Sequence, residues 1–125
     1  MKLLKTATLL LLPLLFSCHD AGTGGEAVLN VHVLKSGGVG TVPGCEVYLK
    51  YDATEYPGAS IPLSDYNEKV LADHGGHAQF INLKKGYYYI LVTGRDTMTG
   101  DSVTGGVAYD IRNRVGERHI VIEVQ

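Results

Sequence analysis

The stretch Asp73–Ile90 reads DHGGHAQFINLKKGYYYI, and its punctuation decides the fold. Gly75-Gly76 stands between two extended runs. A two-residue hairpin needs backbone angles that glycine adopts freely, so the pair predicts a hairpin turn. Ala78–Ile81 is then the returning strand, and Asn82–Gly86 (NLKKG) supplies the next turn. Tyr88, Ile90 and Val92 alternate with Tyr87, Tyr89 and Leu91. That period of two marks a strand with one buried face.

The same rhythm runs outward in both directions. Upstream, Leu29, Val31 and Val33 alternate with Asn30, His32 and Leu34. Ser36–Val42 (SGGVGTV) is turn-rich, and Pro43-Gly44 opens a second strand with Cys45, Val47 and Leu49 on one face and Glu46, Tyr48 and Lys50 on the other. Asp52–Asp65 holds Pro57-Gly58 and Pro62 and reads as a loop, of a length that often marks a site or a crossover between sheets. Glu68–Ala72 is a short strand. Downstream, Gly94–Gly100 is a polar loop, and Asp101–Ile111 is strand-like, with Gly105-Gly106 predicting a bulge or kink. Arg112–Gly116 turns, and Ile120, Ile122 and Val124 alternate with His119, Val121 and Glu123. The expected architecture is all-β, a seven-stranded antiparallel sandwich over residues 27–125. Its expected core is Leu29, Val31, Val33, Cys45, Val47, Leu49, Val70, Phe80, Leu83, Tyr88, Ile90, Val92, Ile120, Ile122 and Val124.

Composition bounds the function. The chain has 125 residues, enough for one domain, with 11 Lys and Arg against 13 Asp and Glu. No basic excess exists to neutralise phosphates, which argues against nucleic-acid partners. Two cysteines cannot build a disulfide framework.

Residues 1–17 read as a leader. Lys2 and Lys5 form a basic start, and Ala7–Phe16 is an apolar run broken by Pro13, too short to span a bilayer. The run ends in Leu15-Phe16-Ser17-Cys18, which resembles a bacterial lipobox. That resemblance implies a lipoprotein signal peptide over 1–17, lipidation of Cys18 with palmitate-type acyl chains, and a membrane-anchored envelope protein, expected at the outer membrane. Such chains hold by burying CH2 groups at about 0.8 kcal/mol each. Residues 18–26, including the Gly-rich His19–Glu26 (HDAGTGGE), read as a flexible tether. Cys45 is then left without a partner and reads as a small buried residue.

A family resemblance enters on two motifs. Val42–Leu49 (VPGCEVYL) is similar to the second strand of prealbumin-like domains. Asp73, Gly76, Phe80, Asn82, Leu83, Gly86, Tyr88 and Ile90 match the spaced block of carboxypeptidase regulatory-like and collagen-adhesin B-type domains. The resemblance covers most of 27–125 and implies a prealbumin-like (Ig-like) sandwich in a lipoprotein similar to those of Bacteroides-like bacteria. It implies an accessory, stalk or adhesive module more than an activity, since a fold does not set a function. The Lys–Asn isopeptide bond of the adhesins is not expected, because the last strand has no Asn.

Candidate sites are sparse. His74 and His77 flank the glycine pair and, with Asp73, are weak metal-ligand candidates. No cofactor is expected. The first strand, Leu29–Leu34 (LNVHVL), resembles that of transthyretin-like hydroxyisourate hydrolases, which places His32 and His119 at catalytic-histidine positions. The chain has no counterpart of their terminal Tyr-Arg-Gly-Ser or of their hairpin Arg, so general-base and oxyanion chemistry is incomplete. Asp96, Asp101 and Asp110 are dispersed in loops or at strand ends and are a weak Ca²⁺ candidate. The better binding signal is tyrosine on outward faces, Tyr48, Tyr87 and Tyr89 above all, because tyrosine is rigid, amphipathic and common at binding surfaces. The expected function is a non-enzymatic, lipid-anchored module that meets protein or glycan partners. The alternatives are a structural or stalk subunit of an envelope assembly and, behind it, a transthyretin-like hydrolase.

Overall fold

Among the described residues, seven strands and one short 3-10 turn follow one another. They are β1 (Thr23–Lys35), β2 (Glu46–Tyr51), β3 (Glu68–Leu71), β4 (His77–Leu83), β5 (Gly86–Arg95), β6 (Ser102–Ile111) and β7 (Val115–Val124). The computed structural model describes residues 21–37 and 40–125. The leader 1–17, Cys18 and the tether as far as Asp20 lie outside the described residues.

The strands form two sheets, β4-β1-β7 and β3-β2-β5-β6. Every pairing is antiparallel except β1 with β7, which run parallel from Glu26↔Val115 to Lys35↔Val124. The alternating apolar positions of both sheets point inward and meet in one core. Leu29, Val33, Cys45, Val47, Leu49, Leu83, Tyr88, Ile90 and Val92 are fully buried. Of the expected core, Val70 and Ile120 are only partly buried, at its margin. The core also takes Ala27, Val42, Ala72, Ala78 and Ile111. Both sheets and this core lie within residues 21–125, a chain long enough to fold alone.

Three local expectations are corrected. The tether ends earlier than residue 26, because Thr23–Glu26 already belong to β1. Its start is pinned: Gly22 N–H donates to the Tyr88 hydroxyl (3.0 Å), Lys84 N–H donates to Gly22 O (2.8 Å), and Ala21 N–H donates to Asp52 Oδ1 (3.1 Å). Glycine-rich composition suggested a flexible segment there, and these tertiary hydrogen bonds override it.

The Gly75-Gly76 turn is not a hairpin, because β3 and β4 lie in different sheets. It carries the chain across the sandwich. Only Gly76 has positive φ (78°), and a Cβ there would crowd Val33 O and the Thr41 side chain, while Val33 N–H donates to Gly76 O (2.8 Å). Asp73 Oδ1 caps the turn by accepting from Gly75 N–H and His77 N–H, both at 2.9 Å.

Gly105-Gly106 makes neither bulge nor kink, since the β5–β6 register is unbroken from Gly86↔Ile111 to Arg95↔Ser102. The pair answers two close approaches. A Cβ on Gly105 would strike Glu123 O of β7, and one on Gly106 would strike the Tyr89 hydroxyl.

Candidate functional site

The outer faces of the two sheets are built differently. On the four-stranded sheet, the outward residues of β2 and β5 include Tyr48, Tyr87, Tyr89 and Leu91. The loop between β2 and β3 folds back over them. Tyr66 and Ile61 from that loop pack with Tyr48, Leu91 and Tyr89 in a second apolar cluster. Tyr48 and Tyr66 meet edge to face (centroids 5.7 Å apart), and Tyr56 lies against Tyr89 (5.8 Å).

Each expected tyrosine therefore has a different place. Tyr48 is outward-facing yet only 6% exposed, because the loop covers it. Its hydroxyl donates to Glu46 Oε1 (2.7 Å), and burial together with that carboxylate pushes its pKa up to about 12. Glu46 is held below the usual carboxylate range by the Tyr48 hydroxyl first and by Lys69 second, whose Nζ stands 3.2 Å from Glu46 Oε2. Tyr89 is half-buried, and burial raises its pKa. Tyr87 remains 47% exposed, and Tyr56, which the expectation did not single out, is 48% exposed. Among the described residues, of these hydroxyls only that of Tyr48 bonds a charged group, so the band offers ring faces and neutral hydroxyls to a ligand.

Tyr66 takes a place that strand periodicity does not assign. It is buried, its pKa is raised by burial and by the neighbouring Tyr56 and Tyr89, and its hydroxyl has no hydrogen-bond partner among the described residues. The available signal was the loop's composition: Tyr56, Ile61, Leu63 and Tyr66 are too apolar for a connection that merely skirts water.

The outer face of the three-stranded sheet has no such cover. Gln79 Nε2 donates to Asn30 Oδ1 (2.9 Å), and Asn30 Nδ2 donates to Glu117 Oε1 (3.3 Å), a polar ladder across all three strands. His119 Nε2 stands 3.7 Å from Glu117 Oε1. In the next row, His32 and His77 are direct cross-strand partners, and their rings stack at 4.2 Å and 15°. His77 thus pairs with His32 across the sheet, while His74 is exposed in the turn. Among the described residues no group of three or more His, Cys, Asp or Glu is placed to hold a metal ion. His32 and His119 do share this outward face in adjacent rows, since Asn30 opposes His119 and His32 opposes Val121. Cys45 is buried and unpaired, and burial pushes its thiol pKa up, which makes it a poor nucleophile. Asp96 pairs with Lys35 (2.9 Å), Asp110 pairs with Arg112 (3.0 Å), and Asp101 is exposed at the β5–β6 tip.

No family model matches the chain, and no curated protein matches it. Solved structures share its fold at low identity. A candidate carbohydrate-binding protein from Pseudomonas aeruginosa is 16% identical with a TM-score of 0.54, over 82% of this chain and 91% of that one. An (S)-allantoin synthase is 12% identical with a TM-score of 0.53, over 83% of this chain and 45% of that one. The major pilin subunit of Bacillus cereus is 15% identical with a TM-score of 0.49, over 79% of this chain and 30% of that one. The first two show a common β-sandwich and nothing narrower.

Proposed function

We propose that the protein is a non-enzymatic module of the cell envelope, held by lipid on Cys18 at the outer membrane, that uses its sandwich to contact a glycan or protein. The observation that carries this reading is the band of Tyr56, Tyr87 and Tyr89 on the four-stranded sheet. It combines the half-exposed ring of Tyr87 and the half-buried ring of Tyr89 on strand β5 with the half-exposed ring of Tyr56, which the β2–β3 loop lays against Tyr89. Rings fixed in this way lose little side-chain entropy on binding and stack on the apolar faces of sugars or peptides. The carbohydrate-binding description of the Pseudomonas protein with the same fold agrees with the glycan arm of this reading. The lipobox-like Leu15–Cys18 supports the anchor.

The test uses residues 21–125 on a glycan array and in pull-downs from envelope extracts. Binding that drops at least tenfold on Tyr87→Ala or Tyr56→Ala supports the tyrosine band. Specific envelope partners that survive both substitutions favour the stalk-subunit alternative. Hydroxyisourate turnover abolished by His32→Ala overturns the non-enzymatic assignment. The mass of the membrane-extracted protein reads the acyl chains on Cys18 directly.

A further inference from the structure

A cluster of basic side chains gathers at one end of the sandwich. At the end where the described chain begins, the β4–β5 turn brings Lys84 and Lys85, and the β6–β7 turn brings Arg112 and Arg114. Lys84, Lys85 and Arg114 line one hollow with Gly24, Gly25 and Glu26. Ala21 and Gly22 are bonded into this same end, through Asp52 Oδ1 and the Lys84 N–H. The carboxylates beside it are Glu26 in the hollow, Asp52, which accepts from Ala21, Glu68, which accepts from the Tyr51 hydroxyl next to Gly22, and Asp110, which is paired with Arg112. Lys84, Lys85 and Arg114 have no carboxylate within 4.0 Å among the described residues. The other end carries Asp73 in the crossing turn, beside His74 and His77, and Asp96 and Asp101 at the β5–β6 tip, beside Lys35 and Arg95.

We propose that the end around Ala21 docks on an anionic, phosphate-bearing membrane surface through Lys84, Lys85 and Arg114. The proposal builds on the lipid-anchored reading above. Cys18 stands three residues before Ala21, so a chain fixed there reaches at most about 10 Å. That distance is close to one screening length at ordinary salt, so the cations still feel the surface at about a third of its unscreened strength even with the chain fully extended, and more strongly in contact. Each basic side chain near an anionic surface strengthens binding about fivefold.

The experiment uses residues 21–125, which lack the anchor, and vesicles of phosphatidylcholine with or without about 30% phosphatidylglycerol. The expected result is co-sedimentation with the anionic vesicles only, weakening steeply with added salt. Lys84→Gln/Arg114→Gln is expected to lose about 25-fold in affinity, and Arg95→Gln/Arg118→Gln, with the same change in net charge, less than about threefold. All four side chains lie at the surface or half-exposed, and unchanged melting confirms that both variants fold. Equal binding to neutral vesicles, no binding to either, or equal losses in the two variants overturns the proposal. Because Cys18 is absent from the tested domain, these outcomes are separate from the mass measurement that decides acylation.

Discussion

The outward faces of the two sheets start from the same strand pattern and end as different surfaces. On β2 and β5 the outward positions are Tyr48, Tyr89 and Leu91, and the β2–β3 loop closes over them with Ile61 and Tyr66. On β1, β4 and β7 they include Asn30, Gln79, Glu117 and the histidines, which bond to one another and stay open. A loop folds onto a sheet face when apolar area on both sides repays its ordering entropy. Only the first face offers that area. The polar ladder on the second is already satisfied by side-chain hydrogen bonds and by water, so covering it would gain little.

The sharpest way to break this comparison is to truncate one apolar residue on each face. Leu91→Ala should cost about 2–5 kcal/mol in chemical denaturation, because it empties a packed site. Val121→Ala, on a side chain 56% exposed, should stay within about 0.5 kcal/mol. Equal losses would mean that the loop does not pack against the four-stranded sheet.

A smaller difference separates two buried tyrosine hydroxyls. The Tyr88 hydroxyl accepts from Gly22 N–H and donates to Lys84 O (2.7 Å), so Tyr88→Phe should cost about 1–2 kcal/mol. The Tyr66 hydroxyl has no such partner, so Tyr66→Phe should leave the midpoint unchanged or raise it. A large loss on Tyr66→Phe would show that this hydroxyl is bonded in solution.

The covered face should also carry a pH signature. Glu46 is held below its ordinary pKa by the Tyr48 hydroxyl and then by Lys69. Its contribution is therefore present above the unfolded carboxylate value, about 4.3, and is lost as pH falls through the lower folded value. Melting temperatures recorded between neutral pH and about pH 3 should fall less steeply for Tyr48→Phe than for the native chain. An unchanged slope would remove Glu46 from the account. The smallest effect belongs to the open face: Asn30→Ala breaks two exposed hydrogen bonds and should shift stability by about 0.5 kcal/mol or less.

Much of this was legible in the chain. Alternation at Leu29–Leu34, Cys45–Lys50 and Tyr87–Val92 located strands and named their buried faces, because a side-chain period of two is set locally. Turn residues located the ends. The errors share a cause. Gly75-Gly76 announces a turn but not the sheet that the next strand joins, and Gly105-Gly106 announces missing side chains but not the Glu123 carbonyl or Tyr89 hydroxyl that needs the space. Tyr48 faces outward as its parity requires, yet the loop that buries it arrives from Tyr56–Tyr66, eight or more residues away in sequence. Lys84 and Arg114 are brought together only because two successive turns fall at the same end of the sandwich.

The sequence by itself determined that the chain is all-β, where its strands run and which side chains fill most of the core. These follow from periodicity and turn chemistry, both of them local. Only the tertiary structure decided that β7 lies parallel beside β1, that Gly22 is held by Tyr88 and Lys84, that one sheet face is covered and the other bare, and that the cations gather where the chain enters. Those are properties of residues brought together across tens of positions, where the free energy of packing and hydrogen bonding, and not local propensity, makes the choice.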